Sequence, residues 1–224
     1  MQLAALVSGG KDSVFALYKA QQLGHEIKVL GTMVPKRSDS YMFHFPNIHM
    51  TDYLAEALEI PLVKAQTCGI KEKELKDLKN LIVSLDVEGV VTGAIASVYQ
   101  KKRIDNICDE LGIKSLAPLW HQEPLDLMNE LIDLRFKAIF VGVSAQGLDQ
   151  TWLGQELTKE TLQKLVKLNK KYQISLVGEG GEYESLVLDA PNFKKRIEIL
   201  DAEKNYANNS GVYTIKQAKF VEKT

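Results

Sequence analysis

A glycine-rich turn that joins a short apolar run to a helical pattern is the feature that most limits what this chain can form. Residues 2–8 have the sequence QLAALVS, and residues 8–13 have the sequence SGGKDS. Such a short apolar run is typical of a strand that is buried on both faces. Apolar residues then recur at helical spacing from Val14 onward, and Gly24 can end that helix. The opening segment therefore predicts a buried strand, a tight turn and a helix.

The alternation of apolar runs and helical patterns continues along the chain. Helices are expected near 51–59 and over 71–85, 98–111 and 124–135. The strands expected between them are EIKVLGTMV, PLVKAQ, VEGVVTGA, KSLAPL and KAIFVGVSA. Strands that alternate with helices predict an α/β fold with a doubly wound parallel sheet and right-handed crossovers.

The pattern changes after residue 145. A helix is expected over 158–172, followed by the apolar stretches ISLVGEGGEYESLVLD, IEIL and VYTIKQAKFV. A polar stretch ending at residues 209–211 separates the last two, which predicts a hairpin. We therefore expect a nucleotide-binding domain over residues 1–145 and a smaller α+β domain, binding the substrate, over residues 146–224.

Charge and cysteine content exclude several classes of protein. The 28 basic and 29 acidic residues give a formal net charge of -1, so nucleic-acid binding would need a local patch and is not expected. Cys68 and Cys108 form no CxxC pair, which argues against a disulfide scaffold or structural zinc; both are expected to be structural. No apolar run approaches the ~18 residues of a spanning helix. We expect a protein of the reducing cytoplasm, neither exported nor membrane-anchored.

The turn after the first strand carries the groups that an anion site needs. In an open parallel sheet, ligands bind beyond the carboxyl ends of the strands, where N–H groups at a helix N-terminus approach an anion. Gly9 and Gly10 lack the Cβ atoms that would keep phosphate away, and Lys11 adds a cation. Asp12 would repel phosphate, so it either caps the helix or holds magnesium. The residues assigned to the nucleotide phosphates are Ser8, Gly9, Gly10, Lys11, Asp12 and Ser13.

A plain loop before an amphipathic helix is the alternative interpretation, but strand, double glycine, lysine and helix together favour phosphate binding. Walker A is absent, because Ala5 stands where its first glycine is needed and Asp12 follows the lysine. The G-x-G-x-x-G motif is absent too. SGGKDS instead resembles the PP-loop of the N-type ATP pyrophosphatases. That resemblance implies a PP-loop or HUP-like sheet, ATP cleavage between the α and β phosphates, and adenylation of a carbonyl or carboxylate.

Four further segments narrow the resemblance. They are SYMFHFPN at 40–47, TGAIASVYQKKRID at 92–105, GVSAQGLDQTWLG at 142–154 and GEGGEYES at 178–185. Together, and in this order, they resemble the diphthine–ammonia ligase family. The resemblance implies ATP-driven conversion of diphthine on elongation factor 2 to diphthamide, with ammonium as nitrogen donor. Gln155 stands where the family commonly has Arg, which leaves a phosphate contact there in doubt, and Ser185 stands where Thr is common.

The segment at 178–185, called the acidic segment below, suits a cationic substrate. Glu179, Glu182 and Glu184 gather around Tyr183 in a glycine-rich turn. Diphthine carries a quaternary ammonium, which carboxylates and aromatic faces attract. In a strand, Glu182 and Glu184 would point to one face and Tyr183 to the other. A solvated acidic turn is the alternative, and the family resemblance favours substrate binding, with Trp152 helping to line the cation site.

Residues after two other strands are expected to face the nucleotide. Tyr99, Gln100 and Arg103 begin a helix after the TGA strand end. Arg103 would stabilise charge on the leaving pyrophosphate or on the attacked carboxylate, although it could be a surface residue of the KKR run. Gly93 is assigned to the nucleotide, as are Thr32 and Met33, expected at the end of the second strand and near adenine by analogy with PP-loop enzymes. A methionine there is more often core.

The predicted reaction is ATP-dependent amide formation, with Tyr99 assigned to the substrate and catalytic roles for Lys11, Asp12, Arg103 and Glu182. Magnesium, with Asp12 as its ligand, would offset the phosphate charge. Free ammonium is the expected donor because no glutaminase nucleophile is evident. A PP-loop enzyme that modifies tRNA and a sensor that binds AMP or ATP without turnover are the alternatives. A homodimer is left open.

Overall fold

The computed structural model describes residues 1–36, 47–68 and 71–223. Residues 37–46, which include most of the SYMFHFPN segment, lie outside the described residues. The chain divides into two compact units. The first consists of Met1–Ser8 and Asp12–His121, and the second of Gly9–Lys11 and Gln122–Thr224. Three residues of the first strand–helix turn therefore belong to the second unit.

A five-stranded parallel sheet forms the first unit, which confirms the predicted α/β class. Its strands are β1 (Gln2–Leu6), β2 (Glu26–Pro35), β3 (Leu62–Thr67), β4 (Gly89–Val91) and β5 (Lys114–Leu116). Their order across the sheet is β3-β2-β1-β4-β5, with every neighbouring pair parallel. The order changes direction at β1, because β2 and β3 follow it on one side and β4 and β5 lie on the other. The boundary between β1 and β4 is therefore the topological switch point of the sheet.

Helices connect these strands. They are α1 (Lys11–Gln22), a short 3-10 helix (Ile48–Met50), α2 (Thr51–Leu58), α3 (Lys71–Leu85) and α4 (Val98–Leu111). The hydroxyl of Ser97 caps α4 by accepting from Gln100 N, and Gly112 ends it with a φ of 68°. The predicted helices over 71–85 and 98–111 are confirmed.

The core of this unit lies between the sheet and its helices. Strand residues Ala4, Val29 and Val90 pack with α3, and the buried thiol of Cys108 joins them from α4. Cys108 is fully buried, as its position on an apolar helical stripe predicts.

The second unit contains a four-stranded antiparallel sheet and two helices. Its helices are α5 (Pro124–Asp133) and α6 (Lys159–Tyr172), and its strands are β6 (Lys137–Val143), β7 (Tyr183–Asp189), β8 (Lys195–Ala207) and β9 (Ser210–Glu222). The order is β7-β6-β9-β8. The predicted hairpin is confirmed: Ala207 pairs with Ser210 across a two-residue turn, whose Asn208 and Asn209 have φ values of 52° and 59°.

The structure places β6 in a different sheet from the one expected. The run KAIFVGV was predicted to continue the parallel sheet, but β6 pairs antiparallel with β7 and β9. The reason is that six of its seven residues are buried, and an apolar run of that kind does not distinguish a parallel from an antiparallel strand. As a result, the structural division falls between His121 and Gln122, whereas the change in sequence pattern predicts a boundary near residue 145.

No helix of the described residues is both long and apolar enough to cross a membrane.

Candidate functional site

The topological switch point of the first unit is where the assigned loop begins. β1 and β4 lie side by side, so Ser8 and Gly93 follow the carboxyl ends of neighbouring strands. A Cβ atom on Gly93 would stand 2.6 Å from both Asp12 C and Ser13 N. Only glycine fits at this distance from backbone atoms, so Gly93 lets the start of α1 approach β4 closely. Its demonstrated role is packing against the loop.

The phosphate loop, defined here as residues 8–13, is a tight turn into α1. Gly9 has a φ of +88°, a conformation that glycine adopts without strain. Ser8 N donates to Ser13 Oγ over 3.4 Å, and Asp12 lies in the first turn of α1. Because α1 begins at Lys11, Asp12 lies inside the helix and not at the N-cap position that the capping alternative needs. An acidic residue in the first helical turn still interacts favourably with the helix dipole.

Thr32 and Met33 differ in place from the sequence prediction. β2 continues to Pro35, so both residues lie inside the strand and not at its end. Thr32 is 1% exposed and its hydroxyl donates to Val7 O over 2.8 Å, while Met33 packs in the apolar core with α3. The structure supports the alternative interpretation of Met33, in which it is a core residue.

Tyr99 and Arg103 lie one turn apart on α4. The guanidinium carbon of Arg103 is 3.4 Å from the centroid of the Tyr99 ring, which is a stacked cation–π arrangement. Arg103 Nε is enclosed and donates to no acceptor within the described ranges. Because stacking leaves the edge of a guanidinium free to donate, the geometry suits an arginine that receives an anion. Gln100, by contrast, is exposed.

In the second unit, residues 9–11 pack against β7. Lys11 N donates to Ser185 Oγ over 3.1 Å, and Val187 N donates to Gly9 O over 2.9 Å. Lys11 is 2% exposed, and its Nζ donates to Val177 O over 2.5 Å. The same Nζ lies 5.1 Å from the centroid of the Tyr183 ring. The lysine assigned to phosphate is therefore enclosed by the residues that flank the acidic segment.

The carboxylate of Glu182 accepts hydrogen bonds from backbone N–H groups in and beside the acidic segment. Its Oε1 accepts from Ser175 N and its Oε2 accepts from Gly180 N, both over 2.9 Å. A carboxylate that accepts two backbone N–H groups holds a turn firmly, since these are charge-assisted bonds. β7 begins at Tyr183, so Glu182 precedes the strand and the predicted alternation does not include it. Its catalytic assignment stays a prediction, and its observed contacts are those of a turn-forming residue.

Tyr183 is placed differently from the expected cation-binding aromatic. It is 3% exposed, its hydroxyl donates to Leu176 O over 2.7 Å, and its ring packs edge-on to Phe140 with centroids 5.0 Å apart. The cation at its ring is Lys11. Trp152 is buried as well, 6% exposed, with its ring 5.2 Å from Phe140. These aromatic rings pack in the interior of the unit because together they exclude water from a large apolar surface.

Glu179 and Glu184 are half-buried. Glu179 N donates to Ser175 Oγ over 3.4 Å, and Glu184 lies on β7 opposite Gly142. Glu182, the third assigned carboxylate residue of this unit, is half-buried as well. The assigned aromatic residues, Trp152 and Tyr183, are interior.

Asp149, in the GLDQTWLG segment, forms a local turn before Trp152. Its carboxylate accepts from Thr151 N over 2.9 Å and from the Thr151 hydroxyl. These two bonds hold the pKa of Asp149 below its usual range, because both favour the charged form. The carboxylate is thereby committed to the turn.

Comparison with known proteins decides the family. Residues 1–115 match a family model described as the diphthamide synthase N-terminal domain, and residues 123–221 match the diphthamide synthase C-terminal domain. The chain is 38% identical over 226 residues to a mouse protein named diphthine–ammonia ligase, with 91% of this chain and 84% of the relative covered. It belongs to the diphthine–ammonia ligase family.

Other members of the family are similar to this chain as well. The human relative is 36% identical, with 91% of this chain and 84% of the relative covered. The relative from Schizosaccharomyces pombe is 39% identical over 223 residues, covering 91% of this chain, but the chain spans only 37% of that longer protein. Among solved structures, a predicted subunit of tRNA methyltransferase from Methanocaldococcus jannaschii gives a TM-score of 0.45 at 14% identity, covering 85% of this chain and 98% of that one. That likeness is too weak to bear on fold or function.

The loop of this diphthine–ammonia ligase family member fits a nucleotide phosphate. A positive φ at Gly9, a helix starting at Lys11 and a glycine where a Cβ would strike the loop are features of a backbone built for close approach. Within residues 1–36, 47–68 and 71–223, no group of three or more His, Cys, Asp or Glu side chains gathers as a metal site. Magnesium bound through phosphates needs only one or two carboxylates, and Asp12 fits that requirement.

Sequence reasoning did not find the partners of the loop on the second unit. Ser185, Val177 and Val187 contact residues 9–11, although they lie more than 160 residues away along the chain. From the sequence, Ser185 is recognisable only as a departure from the family motif. Contacts at such separation leave no periodic pattern in the sequence, and the only available indication was the hydroxyl that Ser185 shares with the threonine common in the family.

Proposed function

We propose that this protein is an ATP-dependent ligase that converts the carboxylate of diphthine on elongation factor 2 to an amide. Ammonium is the nitrogen donor, and AMP and pyrophosphate are the other products. The observation that carries the proposal is the position of SGGKDS at the switch point of the parallel sheet, in a chain that matches the family along both units. The family membership supports the reaction class, and the loop supports the use of a nucleotide.

The phosphate loop, residues 8–13, would hold the phosphates of the nucleotide. Gly9 and Gly10 let the backbone approach the phosphates, and the hydroxyls of Ser8 and Ser13 lie beside them in the turn. Asp12 would hold magnesium. Adenylation by ATP would join a carboxylate oxygen to the α-phosphate and release pyrophosphate, so that ammonia can then displace AMP as the leaving group. Magnesium would offset the charge of the phosphates.

Lys11 contributes a positive charge within the loop. Its Nζ donates to Val177 O. In the proposed reaction, pyrophosphate leaves with additional negative charge. A cation held by packing and by a carbonyl stabilises such charge without reorganising, which is the general advantage of a fixed electrostatic environment.

Arg103, a residue of the first unit, would stabilise negative charge in the reaction. Stacking on Tyr99 fixes the plane of its guanidinium, and the guanidinium would donate to a phosphate or carboxylate. Thr32 and Met33 are not included in the proposed nucleotide site, because the first donates to Val7 O and the second lies in the core.

The acidic segment would recognise the protein substrate through Glu179 and Glu184, whose half-buried carboxylates can face a quaternary ammonium. Glu182 would hold the turn that presents them. Tyr183 and Trp152 would support this segment from the interior. This proposal therefore assigns no cation–π contact with the substrate to Tyr183 or Trp152.

The decisive experiment incubates the protein with ATP, magnesium, ammonium and elongation factor 2 that carries diphthine. Mass spectrometry of the factor should detect the small decrease in mass that replacement of a hydroxyl by an amino group produces. AMP and pyrophosphate should appear in equal amounts with the amide. Omitting ammonium should abolish the mass change, and a Lys11→Ala variant should lose most of the rate.

The same assay separates the alternatives. An RNA-modifying enzyme would leave the factor unchanged and cleave ATP only with an RNA acceptor, with binding that weakens steeply as salt rises. A nucleotide sensor would bind ATP and release no pyrophosphate with any acceptor. Cell fractionation would check the proposed cytoplasmic location, and light scattering would decide between a monomer and a homodimer.

A further inference from the structure

The phosphate loop is tied to one strand of the second unit by two hydrogen bonds. Lys11 N donates to Ser185 Oγ over 3.1 Å, and Val187 N donates to Gly9 O over 2.9 Å. Among the strands that the structure describes, β7 is at the edge of its sheet and pairs with β6. The outer edge of such a strand presents backbone groups that need partners. Residues 9–11 supply the acceptor for Val187 N, and Ser185 supplies the acceptor for Lys11 N.

Two further contacts place Lys11 against the ends of the acidic segment. Its Nζ donates to Val177 O, immediately before the segment, and lies over the ring of Tyr183, at the start of β7. Gly178 has a φ of +73°, and a Cβ there would stand 2.9 Å from Tyr183. The acidic segment is therefore a closed turn whose two ends both contact Lys11.

We propose that Ser185 is a positioning residue for nucleotide binding, because its hydroxyl fixes the first residue of α1 and with it the direction in which the loop presents its donors. This inference rests on the proposed phosphate-binding function of residues 8–13. The Lys11 amide is already used by Ser185, so the phosphates are bound by other groups of the loop. Ser185 itself contacts no nucleotide in this proposal.

The hydroxyl at position 185 is the group that matters. Threonine and valine have nearly the same shape and differ by a hydroxyl in place of a methyl group. Ser185→Thr keeps the acceptor for Lys11 N, and Ser185→Val removes it. A lost hydrogen bond that leaves a buried N–H without an acceptor corresponds to about a tenfold change in an equilibrium constant.

The test measures ATP affinity by calorimetry for the wild type and for the Ser185→Thr and Ser185→Val variants. We expect Ser185→Thr to bind within about twofold of the wild type and Ser185→Val to bind about tenfold more weakly. Thr214→Val is the matched control, because Thr214 is a half-buried strand residue of the same unit, on β9 opposite Glu203. It should bind ATP like the wild type.

Amide hydrogen exchange gives a second measurement that does not depend on ATP. The Lys11 amide should be protected in the wild type and in Ser185→Thr, and should exchange faster in Ser185→Val, while other amides of β7 stay protected. Equal ATP affinity of the threonine and valine variants would overturn the role of Ser185 and leave the proposed function intact. A wild type that does not bind ATP would overturn both.

Discussion

The ammonium nitrogen of Lys11 lies 5.1 Å from the centroid of the Tyr183 ring, although the two residues are 172 positions apart in the sequence. With Val177 O as acceptor and 2% of the residue exposed, the lysine is an interior group. A buried ammonium survives desolvation only with partners of this kind. The lysine of the phosphate loop thus holds the acidic segment as well, which makes its structural and chemical contributions separable by substitution.

Replacing Lys11 with methionine should separate these contributions. The side chains have similar volume, so packing is kept, but methionine leaves Val177 O without this donor. We expect the free energy of unfolding in urea to fall by about 1 to 3 kcal/mol. ATP affinity should fall about tenfold or more, because a charge-assisted contact is lost.

Lys137→Met is the control for this substitution, since Lys137 belongs to the same unit and its charge faces Glu156 at 3.8 Å on the surface. It should leave ATP affinity unchanged. An unaltered affinity in Lys11→Met would remove the lysine from the proposed nucleotide site.

Glu182 should prove important for stability. Glu182→Ala leaves Ser175 N and Gly180 N without their carboxylate acceptor, and we expect a loss of about 2 kcal/mol in the free energy of unfolding. Glu182→Gln keeps one oxygen acceptor and should lose less. Glu222→Ala, at the exposed end of β9, should change stability by less than about 0.5 kcal/mol. Equal stability of the two alanine variants would show that the turn does not depend on the carboxylate.

Local patterns explain how much of the fold was predictable. α3 extends over Lys71–Leu85 and α4 over Val98–Leu111, as predicted, because helical periodicity and the residues at their ends act within a few positions of each other. The β8–β9 hairpin was predictable for the same reason. β6 was assigned to the wrong sheet because its pairing partners, β7 and β9, lie some 40 to 80 residues further along the chain.

The candidate site follows the same rule. SGGKDS was predictable as a strand–turn–helix because its geometry depends on adjacent residues. The interior packing of Tyr183 and the contact between Ser185 and Lys11 were not, since a motif that carries charged and aromatic residues has the same sequence whether it faces solvent or another segment. The core position of Met33 was predictable, because methionine is more often a core residue than a ligand-binding one.

A methyl group on Gly93 should disturb the loop. Its Cβ would stand 2.6 Å from backbone atoms of Asp12 and Ser13, neither of which can rotate away. We expect Gly93→Ala to lower the free energy of unfolding by about 1 to 3 kcal/mol, as overpacking does, and to weaken ATP binding at least tenfold. Calorimetry and urea unfolding measure the two effects.

Gly112→Ala provides a control with comparable loss of stability. Gly112 ends α4 with a φ of 68° and has open space around it, so alanine there costs about 1 kcal/mol through backbone strain alone. ATP binding should be unaffected. If both variants lost ATP affinity equally, the effect of Gly93→Ala would be one of general destabilisation.

Arg103 should require its guanidinium and not only its charge. Arg103→Lys keeps a cation but loses the planar group that stacks on Tyr99 at 3.4 Å. We expect amide formation to slow about a hundredfold, with the free energy of unfolding changed by less than about 1 kcal/mol. Lys102→Ala, an exposed neighbour on α4, should retain the wild-type rate. A normal rate in Arg103→Lys would assign the arginine to packing.

Stability should fall in alkaline solution because of Cys108. Burial raises the pKa of this thiol to about 11, and the nearby carboxylates of Asp105 and Asp109 act in the same direction. In the unfolded chain the thiol ionises near pH 9. Below that pH both states hold the proton, so the thiol makes no difference. Between about pH 9 and 11 only the unfolded chain releases it, and the free energy of unfolding falls by an amount on the order of 2 kcal/mol.

Lysines and tyrosines titrate in the same range, so the contribution of Cys108 must be isolated with a variant. Urea unfolding at about pH 8 and about pH 10.5 gives the alkaline loss of stability for the wild type and for Cys108→Ala. The loss should be smaller in the variant, since alanine has no proton to release from the unfolded chain. Cys68→Ala, which removes a half-buried thiol, should behave like the wild type. The same alkaline loss in all three proteins would mean that burial of Cys108 does not oppose its ionisation.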